Sequence, residues 1–75
     1  MALFLANALN ARGKRVYAVV RGDPRANSGA VVDQYQKFAE AKSRLFQERV
    51  GDEPVYRVLM GRRGVIVSPI SEGAL

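Results

Sequence analysis

The sequence predicts a small α+β domain, ordered (α or β)-β-α-β-β, in which one long amphipathic helix packs on a short mixed sheet. Three observations indicate this class. Residues 15–21 (RVYAVVR) are rich in β-branched and aromatic side chains, which favour a strand. Residues 29–50 place apolar side chains at helical spacing between charged ones. Two apolar runs, 55–60 and 65–67, flank a Gly-Arg-Arg-Gly turn, which is typical of a β-hairpin.

The first segment, residues 2–11 (ALFLANALNA), has two interpretations. It is rich in good helix formers, with Leu5, Ala8 and Leu9 at helical spacing, and Arg12-Gly13 resembles a helix end. We therefore expect a helix here. The alternative is a first strand that turns at residues 10–13 into the next strand.

The strand 15–21 is apolar on both of its faces. Val16, Ala18 and Val20 alternate with Tyr17 and Val19. A strand of this kind is normally covered on both sides. One helix cannot cover both, so we expect the N-terminal segment or the second subunit of a homodimer to supply the other layer.

The long helix should begin after an N-cap at Asn27 or Ser28 and end before Gly51. At this length it would extend beyond the strands and leave part of its apolar face free for a partner. The helix-face residues expected to make that contact are Lys42, Leu45, Phe46 and Arg49. The predicted core consists of Val16, Ala18, Val20, Tyr35, Phe38, Phe46, Val58 and Val67.

The β-α-β connection predicts that strand 15–21 runs parallel to strand 55–60 through a right-handed crossover. Two parallel strands end at the same edge of a sheet. We therefore expect four arginines to meet at one edge and to bind a partner there: Arg21, Arg25, Arg62 and Arg63. A smaller basic patch of Arg12, Lys14 and Arg15, also expected to bind the partner, should lie at the opposite edge.

Composition excludes several classes of protein. The 75 residues contain no Cys and no His, so disulfides, thiolate zinc sites and histidine acid–base chemistry are excluded. We predict one domain over residues 1–75 with a flexible tail at 71–75, no enzyme activity, no catalytic residues, no metal and no cofactor. No apolar run is long enough to span a bilayer, so we expect a cytoplasmic protein without membrane contact.

Twelve basic residues against seven acidic ones give a net charge of +5. The sequence therefore predicts a non-enzymatic binding protein, a regulator or inhibitor that docks its arginine-lined edge on an anionic macromolecule: nucleic acid, a nucleoprotein complex or an acidic protein. The alternative function is a small inhibitor or adaptor, of the kind phages and mobile elements encode, that binds a protein through the long helix without nucleic acid.

Overall fold

Within residues 2–71, five strands form one mixed sheet and one helix packs against it. The computed structural model describes residues 2–71, so the predicted tail lies outside the described residues apart from Ser71. The elements are β1 (Ala2–Leu9), β2 (Arg15–Asp23), β3 (Ser28–Tyr35), α1 (Phe38–Glu48), β4 (Val55–Gly61) and β5 (Gly64–Pro69). The strand order is β3-β2-β1-β4-β5. The class is α+β, but strands dominate it and the helix is short.

The segment 2–9 is a strand, so the helix expected there is wrong and its alternative is right. β1 is the central strand, between β2 and β4. Residues 2–6 are all buried, because neighbouring strands flank β1 and both of its faces pack into core clusters. A fully buried strand has a continuous apolar run instead of an alternating one, and a short run of this kind is hard to distinguish from a helix.

The long helix over residues 29–50 is also wrong. Its first part is β3, which pairs antiparallel with β2, and the helix has only 11 residues. The register between β2 and β3 shifts where Val19 pairs with Asp33 and Val20 with Val31, leaving Val32 as the extra residue of a bulge. The bulge interrupts the alternation of inward-facing and outward-facing residues along β3. The consecutive apolar residues that result resemble the pattern of a helical turn.

The predicted pairing of 15–21 with 55–60 is wrong as well. β1, and not β2, is the strand that pairs in parallel with β4. β2 is the antiparallel hairpin partner of β1, so it runs opposite to β4 and is separated from it by β1. The predicted hairpin of β4 and β5 is confirmed, with a two-residue turn at Arg62-Arg63.

The helix covers one face of the sheet over β1, β2 and β3. Ala41 and Leu45 are fully buried against Leu3, Leu5 and Val19. Phe38, at the first turn of α1, packs edge to face on Tyr17 with ring centroids 5.5 Å apart, and the Arg57 guanidinium lies 4.7 Å from the Phe38 ring centre. Among the predicted core residues, Tyr35, Phe38 and Phe46 are half-buried on this side.

The other face of the sheet holds a second apolar cluster, although no helix of the described residues lies on it. Phe4 is its centre, fully buried among Ala6, Ala18, Val20 and Val58. The separate layer expected over strand 15–21 is therefore unnecessary, because its second face is already buried within one chain.

The sheet curls toward this second face. Gly29 of β3 and Val67 of β5 line a common groove of about 1110 Å³, although β3 and β5 are the strands at the two opposite edges of the sheet. Gly22 and Gly29 are paired across β2 and β3, and a Cβ on Gly22 would clash with the Ser28 carbonyl oxygen. Only glycine permits this close approach, which places the β2–β3 turn on one wall of the groove.

Candidate functional site

Two hairpin turns lie side by side at one end of the sheet. β1 and β4 are parallel neighbours with Ala6 opposite Val58, so Leu9 and Gly61, three residues further along each strand, reach the same level. The β1–β2 turn begins after Leu9, and the β4–β5 turn begins after Gly61. The five basic residues of these turns and their borders are all exposed: Arg12, Lys14, Arg15, Arg62 and Arg63. We call this group the basic end.

The side chain of Asn10 organises the β1–β2 turn. Its Oδ1 accepts hydrogen bonds from the backbone N–H groups of Arg12 (2.8 Å) and Lys14 (3.0 Å). The Asn10 carbonyl accepts from the N–H of Gly13, which has a φ of +75°. This is the turn chemistry that favours Asn and Gly. The bonds fix the backbone that carries Arg12 and Lys14.

The β4–β5 turn is the shortest hairpin connection. Gly61 pairs with Gly64, so that only Arg62 and Arg63 form the loop. Gly64 has a φ of +118°, which other residues rarely adopt. Both arginines are therefore exposed at the tip of a two-residue turn.

The basic end accounts for the whole net charge of the chain. It contains five of the twelve basic residues and no carboxylate. The seven basic residues elsewhere are matched by the seven acidic residues, so the rest of the chain is neutral. Among residues 2–71, the ion pairs are Arg21 with Glu53 and Arg44 with Glu48, and neither involves the basic end.

Arg21 and Arg25 do not join Arg62 and Arg63, so the predicted four-arginine edge is wrong. Ala2 pairs with Gly22 and Leu3 with Val55, which places the end of β2 at the starts of β1 and β4. The four arginines are thus split between opposite ends of the sheet. The smaller predicted patch, Arg12, Lys14 and Arg15, lies instead beside Arg62 and Arg63.

Arg21 is already engaged within the chain. Its Nη2 donates to the Glu48 carbonyl at 2.7 Å and to the Glu53 carboxylate at 3.0 Å, while its Nε donates to the same carboxylate at 3.2 Å. The hydrogen bond from Arg21 lowers the pKa of Glu53 and raises that of Arg21. This bidentate pair joins β2, the end of α1 and the turn before β4, which is a structural role.

Arg25 lies in the β2–β3 turn on the wall of the curled sheet's groove. Its backbone N–H donates to Asp23 Oδ1 at 3.0 Å. Asp23 and Arg25 are the charged residues among the described ones that line this groove, and Ala2, Tyr56, Val65 and Val67 supply apolar lining. Opposite charges close together give this end little net attraction for an anion.

The four residues predicted to form a helix-face contact do not form one exposed surface: Lys42, Leu45, Phe46 and Arg49. Leu45 is fully buried against the sheet, and Phe46 packs on the same core. Lys42 is half-buried and Arg49 is exposed just beyond the helix. The predicted overhang is absent from the described part of the chain because the helix is half its expected length.

The sequence analysis missed two residues at this site. Asn10 was considered only as a turn residue, although an Asn two and four residues before Arg12 and Lys14 is a recognisable turn signal. Lys37 belongs to neither turn and is not counted in the basic end, but it lies at the same end of the sheet, because Tyr35 at the end of β3 pairs with Tyr17 at the start of β2. No sequence signal marked Lys37, since the predicted helix placed it in mid-helix.

Within residues 2–71 the side chains form no group of three or more potential metal ligands. The Tyr35 hydroxyl donates to Asp33 Oδ2 at 3.0 Å. Burial, and then this bond, raise the pKa of Tyr35. The pKa of Asp33 is lowered first by the hydrogen bond from the Gln34 backbone N–H and then by the bond from Tyr35. Helix α1, with 11 residues, is too short to cross a bilayer, and the described residues contain no other helix.

Comparison with known proteins found no match to a protein family, to a curated protein or to a solved structure.

Proposed function

We propose that this protein is a small non-enzymatic binding protein that docks its basic end on the phosphate backbone of duplex nucleic acid. The observation that supports this most is the charge distribution: five exposed cations on two adjacent hairpin turns carry the entire net charge of +5. A regulator or inhibitor of a nucleoprotein complex would act through the same contact.

The spacing of the two turns suits a polyphosphate. The centre of the β1–β2 hairpin and that of the β4–β5 hairpin are two strand spacings apart, about 10 Å. Duplex DNA carries one negative charge per about 1.7 Å of helix axis, so roughly six phosphates lie within that span. Both turns can therefore contact phosphates of one duplex at the same time.

The residue types favour backbone contacts over base recognition. Arginine presents a rigid fork of donors that matches phosphate oxygens in two-point contacts. Neither turn contains an aromatic residue on which an unpaired base would stack. We therefore expect binding to duplexes with little dependence on sequence, and no preference for single strands.

Charge reversal at the tip of one turn tests the proposal. The variant Arg62→Glu/Arg63→Glu should fold normally, because both side chains are exposed in a glycine-flanked turn. The matched control, Arg25→Glu/Arg49→Glu, makes the same change in net charge with two exposed arginines at the other end of the sheet. Binding of a fluorescently labelled DNA duplex is measured by anisotropy at low salt for both variants and the wild type.

We expect the Arg62/Arg63 variant to lose at least tenfold in affinity and the control to lose much less. Equal losses would mean that only the overall charge matters and would overturn the proposed site. Tighter binding of polyglutamate than of the duplex would overturn the choice of nucleic acid in favour of an acidic protein. If the wild type binds neither polymer at low salt, the proposed function is wrong.

A further inference from the structure

The β4–β5 hairpin extends beyond the cover of the helix. Helix α1 packs on β1, β2 and β3, whereas β4 and β5 are the last two strands toward the opposite edge of the sheet. Two large apolar side chains are consequently exposed there, Met60 at 70% and Ile66 at 51%. They lie on opposite faces, because Met60 shares the face of Val58 while Ile66 pairs with Leu59 on the helix side.

β5 is an edge strand, and within residues 2–71 no further strand pairs with its outer side. The N–H of Ile70 donates to the carbonyl of Val55 at 3.1 Å, so these two residues are a hydrogen-bonded pair. Hydrogen-bonded and non-hydrogen-bonded pairs alternate along antiparallel strands, so this bond determines which residues of β5 bond to β4. In this alternation Ile66 and Ser68 direct their backbone groups toward β4, and Val65 and Val67 direct theirs outward. Pro69 is also an outward position, where its lack of an N–H costs nothing to the β4 pairing.

The two edges of the sheet differ in protection. β3 carries a bulge at Val32 and a charged residue, Asp33, both of which discourage pairing with another strand. From Gly64 to Ser68, β5 has no charged residue, no proline and no register shift, and the proline that discourages pairing, Pro69, is confined to the end of the strand. An uncharged, regular and apolar edge strand is suited to pair with another strand.

We propose that two copies of this chain pair through β5, antiparallel about a two-fold axis at Ile66. The outward groups of Val65 then bond those of Val67 in the other copy, and those of Val67 bond Val65, giving four backbone hydrogen bonds. Ile66 faces its own equivalent as a non-bonded pair, with Cα atoms about 4.5 Å apart. The two sheets become one sheet of ten strands.

Three features favour a second copy over an unrelated peptide. The set of outward groups is self-complementary, because the same two valines supply donors and acceptors on both sides. The exposed Ile66 covers its own equivalent. The antiparallel arrangement also directs Arg62 and Arg63 of the two copies to opposite ends of the shared edge, so their positive charges are kept apart.

Cysteine cross-linking tests this register directly, because the chain contains no Cys of its own. In the proposed dimer the Cα atoms of the two residues 66 are about 4.5 Å apart, which is within the range of roughly 4.4–6.8 Å that a disulfide can bridge. Ile66→Cys should therefore form a disulfide between the two copies. The control is Ser68→Cys, exposed on the same strand and the same face. Its equivalent in the other copy would be about 14 Å away along the strand. Both variants of the full chain are oxidised with glutathione disulfide and examined on a non-reducing gel.

We expect a covalent dimer from Ile66→Cys and little from Ser68→Cys. Equal cross-linking of both variants would indicate random collisions and overturn the register. Sedimentation equilibrium provides the second measurement: the wild type should show a dimer that Ile66→Lys abolishes while its circular dichroism stays unchanged. A wild type that is monomeric at the highest soluble concentration, together with no Ile66→Cys dimer, would overturn the proposal.

Discussion

Arg21 shows how one side chain holds three elements of this small fold together. From the end of β2 it bonds the last residue of α1 and the carboxylate of Glu53, which precedes β4. Glu53 Oε1 in turn accepts from the backbone N–H of Val50. The contact fixes the path of the chain from the helix to the parallel strand. Its strength depends on Glu53 being ionised.

Replacing Glu53 by glutamine should therefore change the response of stability to pH. The pKa of Glu53 is lower in the folded protein than its usual value of 4.5, chiefly because of the hydrogen bond from Arg21. The stabilising contribution is thus present above about pH 4.5 and is lost as the pH falls through the folded-state pKa. Thermal midpoints measured from pH 7 to pH 3 should show Glu53→Gln below the wild type at neutral pH, with the difference shrinking in acid.

The control for this comparison is Asp52→Asn, which neutralises the exposed neighbouring carboxylate. Asp52 makes no side-chain hydrogen bond or ion pair with the described residues. A difference between wild type and Glu53→Gln that stays constant down to pH 3 would contradict the role assigned to ionised Glu53.

At the scale of elements, the helix is stabilised by its contact with the sheet more than by its own sequence. Its N-cap, Lys37, makes no side-chain capping bond, and its last turn has no basic residue. Eleven residues are too few for a stable isolated helix in water. The anchors are Ala41 and Leu45, both with no exposed surface.

Leu45→Ala should consequently destabilise the protein by about 2–5 kcal/mol, because alanine keeps the helix propensity and removes only packing. Gln47→Ala is the control, since Gln47 is exposed on the same helix. Chemical denaturation of both variants measures the effect. A Leu45→Ala loss no larger than that of Gln47→Ala would show that α1 does not pack on the sheet as described.

The elements also show where sequence reasoning succeeds. The β4–β5 hairpin and the second half of the helix were predictable, because a glycine-flanked turn and a helical stripe ending near Gly51 are local signals. The strand 28–35 was not, because the bulge at Val32 disrupts its alternation. The parallel partner of β4 is not identifiable from the sequence, because the helix predicted for residues 2–11 leaves β2 as the only strand before β4.

For the molecule as a whole, these two errors, the helix at residues 2–11 and the long helix at 29–50, determined which arginines were expected to meet. The basic residues themselves were recognised from the sequence, yet their grouping depended on strand direction. Once β1 is the parallel neighbour of β4, the turn after β1 lies beside the turn after β4. Charge is then segregated, with a basic end and a remainder in which acidic and basic residues are equal in number.

The salt dependence of binding tests this segregated charge most directly. Each phosphate contact contributes about −0.9 to the slope of log affinity against log salt concentration for duplex DNA. Slopes measured for the wild type, Arg62→Gln and Arg25→Gln on one duplex count the contacts made at each end of the sheet. We predict that Arg62→Gln makes the slope shallower by about 0.9 and that Arg25→Gln leaves it unchanged. A slope altered by Arg25→Gln and not by Arg62→Gln would contradict it.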